Sequence, residues 1–169
     1  ETTGSTIISK DRNRHIATVT GALWTPQGRS FVVDDSIEIP NATVLQYDGT
    51  QNKTILFWFK STDVTTLQAL VAKWDAAGTG NNYREFLIYL NAGNLVVENC
   101  GGGAGSSSTA VSANTWYLVG VTLDSSKVRT IFLDAVQKAQ GTSTGSITLQ
   151  ANNSVTIGYV KDGGLYYLQ

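Results

Sequence analysis

NTWYLVGVTLDSSKVRTIFLDAVQK, running from Asn114 to Lys138, is the stretch on which the fold turns. Tyr117, Val119, Val121 and Leu123 fall on alternate positions, the period of a strand that buries one face. Asp124, Ser125, Ser126 and Lys127 follow, and Asp and Ser make turns because their side chains bond nearby backbone groups. Val128 to Leu133 then resumes an apolar, β-branched run. Two such strands around a tight turn predict a two-sheet β-sandwich.

The composition agrees. The chain has 169 residues, enough for one domain over 1–169 with a sizeable core. Only 15% of residues are charged, against roughly 25% in a typical chain. Thr, Ser, Asn and Gly take the place of the missing charge, a mixture suited to pleated surfaces and turns. The formal net charge is −1 and no basic stripe is visible, which argues against nucleic acid as a partner. No apolar run reaches the ~18 residues of a membrane span. The chain starts at Glu1 without a methionine or a signal-peptide pattern, so a processed form or a piece of something longer is expected. Cys100 stands alone and cannot form an internal disulfide. Three Asn-x-Ser/Thr matches, at Asn41, Asn52 and Asn152, are expected by chance in a chain this rich in those residues.

Outward from the hairpin, further strands are predicted at Ser5–Ser9, His15–Thr20, Phe31–Val33, Ser36–Ile39, Leu67–Trp74, Tyr83–Leu90, Leu95–Asn99, Ser146–Leu149 and Val155–Tyr159, with a strand-like end at Leu165–Gln169. Thr54–Lys60, TILFWFK, is apolar in both phases and reads as a strand covered on both sides. Gly21–Gly28 reads as a turn, Asp75–Asn82 as a polar loop and Gly101–Ser108 as a Gly/Ser loop. Asn91-Ala-Gly-Asn94 is a hairpin turn. No segment keeps a helical period.

These pieces, in order, resemble the laminin-G-like and pentraxin-like domains of the concanavalin A-like jelly-roll superfamily. Phe31–Pro40 (FVVDDSIEIP) looks like the family's F-x-G-x-D-D-Y-I-x-I-P segment. Ile55–Lys60 looks like its strand ending in tryptophan, an apolar residue and lysine. Leu70–Trp74 with Tyr83–Leu90 looks like the next pair. Asn114-Thr-Trp116-Tyr117 looks like N-x-W-Y/H, Phe132-Leu-Asp134-Ala135 like Y-V-D-G, and Ile157-Gly158 like the late I-G step. The resemblance implies an all-β, two-sheet antiparallel jelly-roll sandwich. Val33 and Ala135 stand where the family has Gly, and a left-handed turn conformation costs Ala more than Gly. Relatives continue with another strand past Leu165–Gln169, so the last strand is either cut off or supplied by another chain.

No catalytic constellation is evident. Gly141-Thr-Ser143-Thr-Gly145 matches G-x-S-x-G, but a strand follows it rather than a helix, and His15 is the only histidine. The four glutamates, Glu1, Glu38, Glu85 and Glu98, have no carboxylate two residues away, where a jelly-roll glycosidase would pair them. Tyr159–Gln169 and Arg84-Glu85 look faintly like alginate-lyase motifs, without the Gln and His two apart that those enzymes use. Asp34, Asp35 and Asp75 are candidate Ca²⁺ ligands, since many relatives bind Ca²⁺ at a sandwich rim, although Asp and Asn in loops commonly serve as turn formers. Phe57, Trp58, Phe59 and Trp116 are assigned to the core. Trp24, Trp74, Tyr83 and Tyr89 fall near strand ends, where an exposed ring can stack on a sugar.

The expected function is a non-enzymatic binding or adhesion module for a glycan or surface polysaccharide. Its candidate ligand-binding residues are Trp74, Asp75, Asn81, Asn82, Tyr83 and Arg84. The alternative is a structural or decoration domain of a viral or surface assembly, which binds protein through an open sheet edge. A polysaccharide lyase or glycoside hydrolase is the weaker alternative. Either leading reading implies an extracellular, virion or cell-surface location.

Overall fold

The hairpin predicted from residues 117–133 is present and lies at the centre of the smaller of two packed sheets. The computed structural model describes residues 5–75, 84–99, 106–149 and 152–160, with the backbone of 166–167. In chain order the strands are β1 (Thr6–Ile8), β2 (Ile16–Thr20), β3 (Leu23–Thr25), β4 (Gly28–Ser30), β5 (Ser36–Ile39), β6 (Lys53–Phe59), β7 (Gln68–Trp74) and β8 (Arg84–Asn91). They continue as β9 (Asn94–Asn99), β10 (Ser107–Ala110), β11 (Tyr117–Leu123), β12 (Val128–Leu133), β13 (Val136–Thr142), β14 (Val155–Ile157), β15 (Tyr159–Val160) and β16 (Tyr166–Tyr167). One 3-10 turn, Thr43–Leu45, is the only helical element among the described residues.

A long sheet takes the order β1-β2-β5-β14-β7-β8-β9-β10, and a short one the order β13-β12-β11-β6; β3–β4 and β15–β16 are separate hairpins. The fold is the all-β antiparallel sandwich expected of a concanavalin A-like jelly roll. In the short sheet Tyr117 pairs with Phe59 and Val119 with both Phe57 and Leu133. That register turns Val119, Val121, Leu123, Ile131 and Leu133 inward against Leu70, Ile88, Leu90, Leu95 and Val97 of the long sheet. Each such side chain, fully buried, contributes roughly 1.5–3 kcal/mol. Strand β7 is buried on both faces. Its outer side, with Ala69, Ala72 and Trp74, packs with Leu87 and Val160, because the β15 segment crosses that face of the long sheet.

Several local expectations change. Gly21–Gly28 is not a plain turn, because β3, its two-residue link and the first residue of β4 lie within it. Thr54–Lys60 is not covered on both sides. It forms β6, the last strand of the short sheet, and its even-numbered residues face outward. Strand β13 and strand β10 arise in polar sequence, while Ser146–Leu149 and Phe31–Val33 are not strands. The loop readings at 76–83 and 100–105 lie outside the described residues.

Candidate functional site: a tryptophan groove at the edge of the short sheet

Alternation on β6 decides which aromatics reach solvent. Phe57 and Phe59 pack into the core, whereas Leu56 is 67% and Trp58 61% exposed. Leu118 pairs with Trp58, and the same register places Trp116 opposite Lys60. Trp58, Lys60 and Trp116 therefore share the outer face at one end of the short sheet, with the two indoles diagonal to each other at the ~7–8 Å of such neighbours. The Lys60 ammonium lies 5.4 Å from the centre of the Trp116 ring. It has no ion-pair partner among the described residues.

The β3–β4 hairpin forms the opposite wall. The Thr25 hydroxyl donates to the Gly28 carbonyl at 2.9 Å and accepts from the Gln27 N–H at 3.2 Å, which closes the turn around Pro26. Arg29 reaches back to the Ala22 carbonyl through Nη1 at 2.9 Å, and its guanidinium lies 5.2 Å from the centre of the exposed Trp24 ring. Between the hairpin and Trp116 runs a groove of about 620 Å³. A deeper branch of about 330 Å³ continues from it over Phe57, Phe59 and Leu70. No carboxylate lines either part among the described residues, while Arg29 and Lys60 both do. The groove offers flat apolar faces, two cations and peptide groups. It lacks the pair of acids that glycosidic bond cleavage needs.

Trp58 and Trp116 were both expected in the core, and the structure corrects this. Thr54 and Lys60 are in phase with Trp58, and Thr122 with Trp116, so the polar members of each strand mark the solvent phase. Trp24 is exposed as expected, whereas Trp74 is buried at 4% exposure.

The candidate residues around 74–84 fall elsewhere. Trp74 ends β7 and pairs with Arg84, which opens β8. The Arg84 guanidinium lies 5.0 Å from the centre of the Trp74 ring. Asp75 is half-buried in a single bridge. Asn81, Asn82 and Tyr83 lie outside the described residues. Trp74 Nε1 and Arg84 Nε are both buried without a hydrogen-bond partner among the described residues, and a buried donor left unmade costs about 1–3 kcal/mol.

Asp34, Asp35 and Asp75, the candidate Ca²⁺ ligands, do not form one group of three. Asp35 is buried, and its Oδ2 accepts the Val32 N–H at 2.8 Å, so that it closes a turn. Asp34 is exposed with φ of 73°, a turn conformation. Among the described residues no three His, Cys, Asp or Glu side chains form a group able to hold a metal ion. No helix among them is long and apolar enough to cross a membrane.

Comparison with known proteins supplies the context. Residues 31–168 match the family described as the Concanavalin A-like lectin/glucanases superfamily. No curated protein sequence matches the chain. Among solved structures, the botulinum neurotoxin serotype D binding domain superposes with a TM-score of 0.65 at 13% identity, covering 89% of this chain and 40% of that one. The binding domain of botulinum neurotoxin DC in complex with SialylT gives a TM-score of 0.56 at 11% identity, covering 97% and 38%. The same domain in complex with rat synaptotagmin II gives 0.56 at 10% identity, covering 98% and 38%. The chain thus spans about two fifths of the length of these structures.

Proposed function

The chain belongs to the Concanavalin A-like lectin/glucanases superfamily, and from that scaffold together with the tryptophan groove we propose that it is a non-enzymatic carbohydrate-binding module. The carrying observation is the exposure of two tryptophans that line the groove, Trp58 at 61% and Trp116 at 41%, with Trp24, 65% exposed, stacked against the lining Arg29. A Trp side chain can bury roughly 150–250 Å², and a cluster left in water is a standing interaction surface. The flat C–H faces of pyranose rings match indole faces. Lys60 and Arg29 add donors for ring hydroxyls or for an acidic sugar. The groove lining among the described residues, tryptophan faces with Lys60 and Arg29, suits binding. With a surface glycan as ligand, the reading carries an extracellular, virion or cell-surface location with it.

The neighbours solved with SialylT and with rat synaptotagmin II support a binding role for this scaffold in general terms. The ligand class for this chain rests on the groove. A glycan array followed by calorimetry, with and without Ca²⁺, tests it. Trp116→Ala and Trp58→Ala are expected to lower affinity about tenfold or more, as aromatic anchors do, with unchanged melting. Silence across the array, or undiminished binding by both variants, overturns the reading.

A second reading draws on the same face. Leu56, in the same outward phase of β6, is also exposed, at 67%, and β6 is an edge strand. These features fit a structural or decoration domain that docks on protein. Solution mass separates the cases, since a strict monomer that binds glycan excludes self-assembly through this face.

A further inference from the structure

On the outer face of the long sheet a cavity of about 200 Å³ shares no lining residue with the tryptophan groove. Trp74, Arg84, Tyr89 and Glu98 line it, with Leu87 and Val160 as apolar walls. Among the described residues, its polar atoms without a hydrogen-bond partner are Trp74 Nε1 and Arg84 Nε, both N–H donors. Trp74 is 4% exposed, so its indole N–H has little access to bulk water. The two donors are held together, because Arg84 pairs with Trp74 across the β7–β8 ladder and its guanidinium stacks over the indole.

Glu98 supplies the other polar group. Its Oε1 accepts the Tyr89 hydroxyl at 2.7 Å. Burial and the adjacent Glu98 carboxylate push the Tyr89 hydroxyl well above its ordinary value, so it stays a donor and Glu98 stays anchored as an acceptor. Among the described residues the cavity therefore presents the unpartnered Arg84 Nε–H and Trp74 indole N–H, the Glu98 carboxylate held by Tyr89, and apolar walls. A guanidinium edge matches a carboxylate bidentately, and a fixed carboxylate accepts from a hydroxyl. The volume is below the ~300–1,000 Å³ of sites for drug-sized ligands, which limits the occupant to about one sugar ring.

We propose that this cavity is a second binding site, for a small hydroxycarboxylate of hexuronate size, with Arg84 and Trp74 Nε1 on its carboxylate and Glu98 on a hydroxyl. It stands apart from the groove and does not depend on glycan binding there.

The test is an NMR titration of the full chain with D-glucuronate, D-glucose and propionate, following the indole N–H signals. D-Glucuronate is expected to shift the Trp74 indole N–H and to bind about tenfold or more tightly than the other two. Read at the Trp74 indole N–H, Arg84→Gln and Glu98→Gln are each expected to lower its affinity about tenfold, while Lys138→Gln, on the exposed part of β13 and outside both sites, leaves it unchanged. An indole signal that stays unmoved by all three probes means a hydrated cavity only and overturns the proposal. Equal binding of D-glucose, or full affinity in folded Arg84→Gln, overturns it as well.

Discussion

Lys73 and Glu85 form an ion pair of 3.1 Å between Nζ and Oε1, with neither side chain exposed. The carboxylate also accepts the Tyr47 N–H at 2.7 Å and Asn153 Nδ2 at 3.3 Å. The ammonium donates to Asn41 Oδ1 at 2.8 Å and to the Asn153 carbonyl. Burial pushes Lys73 down and Glu85 up, while each charge pulls the other back toward ionisation. The pair ties the segment around Asn41–Tyr47 and Asn153, two residues before β14, to the centre of the long sheet.

Removing one partner leaves a buried charge alone, so Lys73→Met or Glu85→Gln is expected to cost about 3–5 kcal/mol. The double variant Lys73→Met/Glu85→Leu is expected to recover much of that loss. Urea unfolding of the four proteins in a double-mutant cycle checks this. A double variant as unstable as the sum of the singles would show that the pair is not coupled.

The β12–β13 turn carries relievable strain. Asp134 and Ala135 have φ of 51° and 65°, and a left-handed conformation costs an L-residue about 1–2 kcal/mol. Asp134 repays retention, because its Oδ1 accepts the Leu118 N–H at 3.0 Å. Ala135 has no such bond. Ala135→Gly is expected to stabilise the chain by about 0.5–1 kcal/mol after the unfolded-state entropy of Gly is counted. A thermal melt should rise by about 2–4 °C; an unchanged or lower midpoint contradicts the assignment.

Gly21 and Gly93 separate backbone strain from steric clash. Both have positive φ, 74° and 80°. A Cβ on Gly93 meets nothing within 4 Å, whereas one on Gly21 falls 1.7 Å from Asp35 Oδ1. Gly93→Ala is expected to cost only the conformational ~1–2 kcal/mol. Gly21→Ala is expected to cost about 1–3 kcal/mol more, the range for overpacking. Equal losses in denaturant unfolding would mean that Asp35 moves aside freely.

Asp63 makes stability acid-sensitive. The Thr65 and Thr66 hydroxyls and the Thr65 N–H donate to its carboxylate and hold it well below the usual carboxylate range. Its folded value lies below its unfolded one. The contribution is therefore complete above the ordinary range and is lost as pH falls through the folded value. Asp63→Asn should flatten the fall in stability between about pH 5 and about pH 2, as measured by urea midpoints. An unchanged slope would assign acid sensitivity to other carboxylates.

Side-chain alternation made the sandwich legible where one phase is apolar and buried, as at Tyr117–Leu123. Strand β13 was not legible because VQKAQGT buries almost nothing; its ladder to β12 holds it, and a backbone ladder leaves no trace in side-chain type. Hairpin β3–β4 hid behind Pro26 and Gly28, which mark its turn and mask its short arms. In the candidate site, Trp58 and Trp116 reach solvent because they share the phase of Thr54, Lys60 and Thr122, and aromatic character alone does not give a residue's phase. Trp74 and Arg84 stand at either side of a polar stretch of sequence, and the β7–β8 register joins them. Tyr89 and Glu98 complete that cavity from positions nine residues apart, which only the β8–β9 register brings together.

The edge position of β6 bears on how the chain survives its own folding. TILFWF is six residues of high β propensity without charge, proline or glycine, the kind of segment that stacks into fibrils when unpaired. Lys53 and Lys60 bracket it. In the native state Lys60 overlies Trp116 and Lys53 donates to the Val44 carbonyl at 2.7 Å. Before β11 arrives from almost sixty residues downstream, the same two ammonium groups repel a second copy of the strand. They are gatekeepers against aggregation on the way to the fold, in addition to any part Lys60 plays in the groove afterwards.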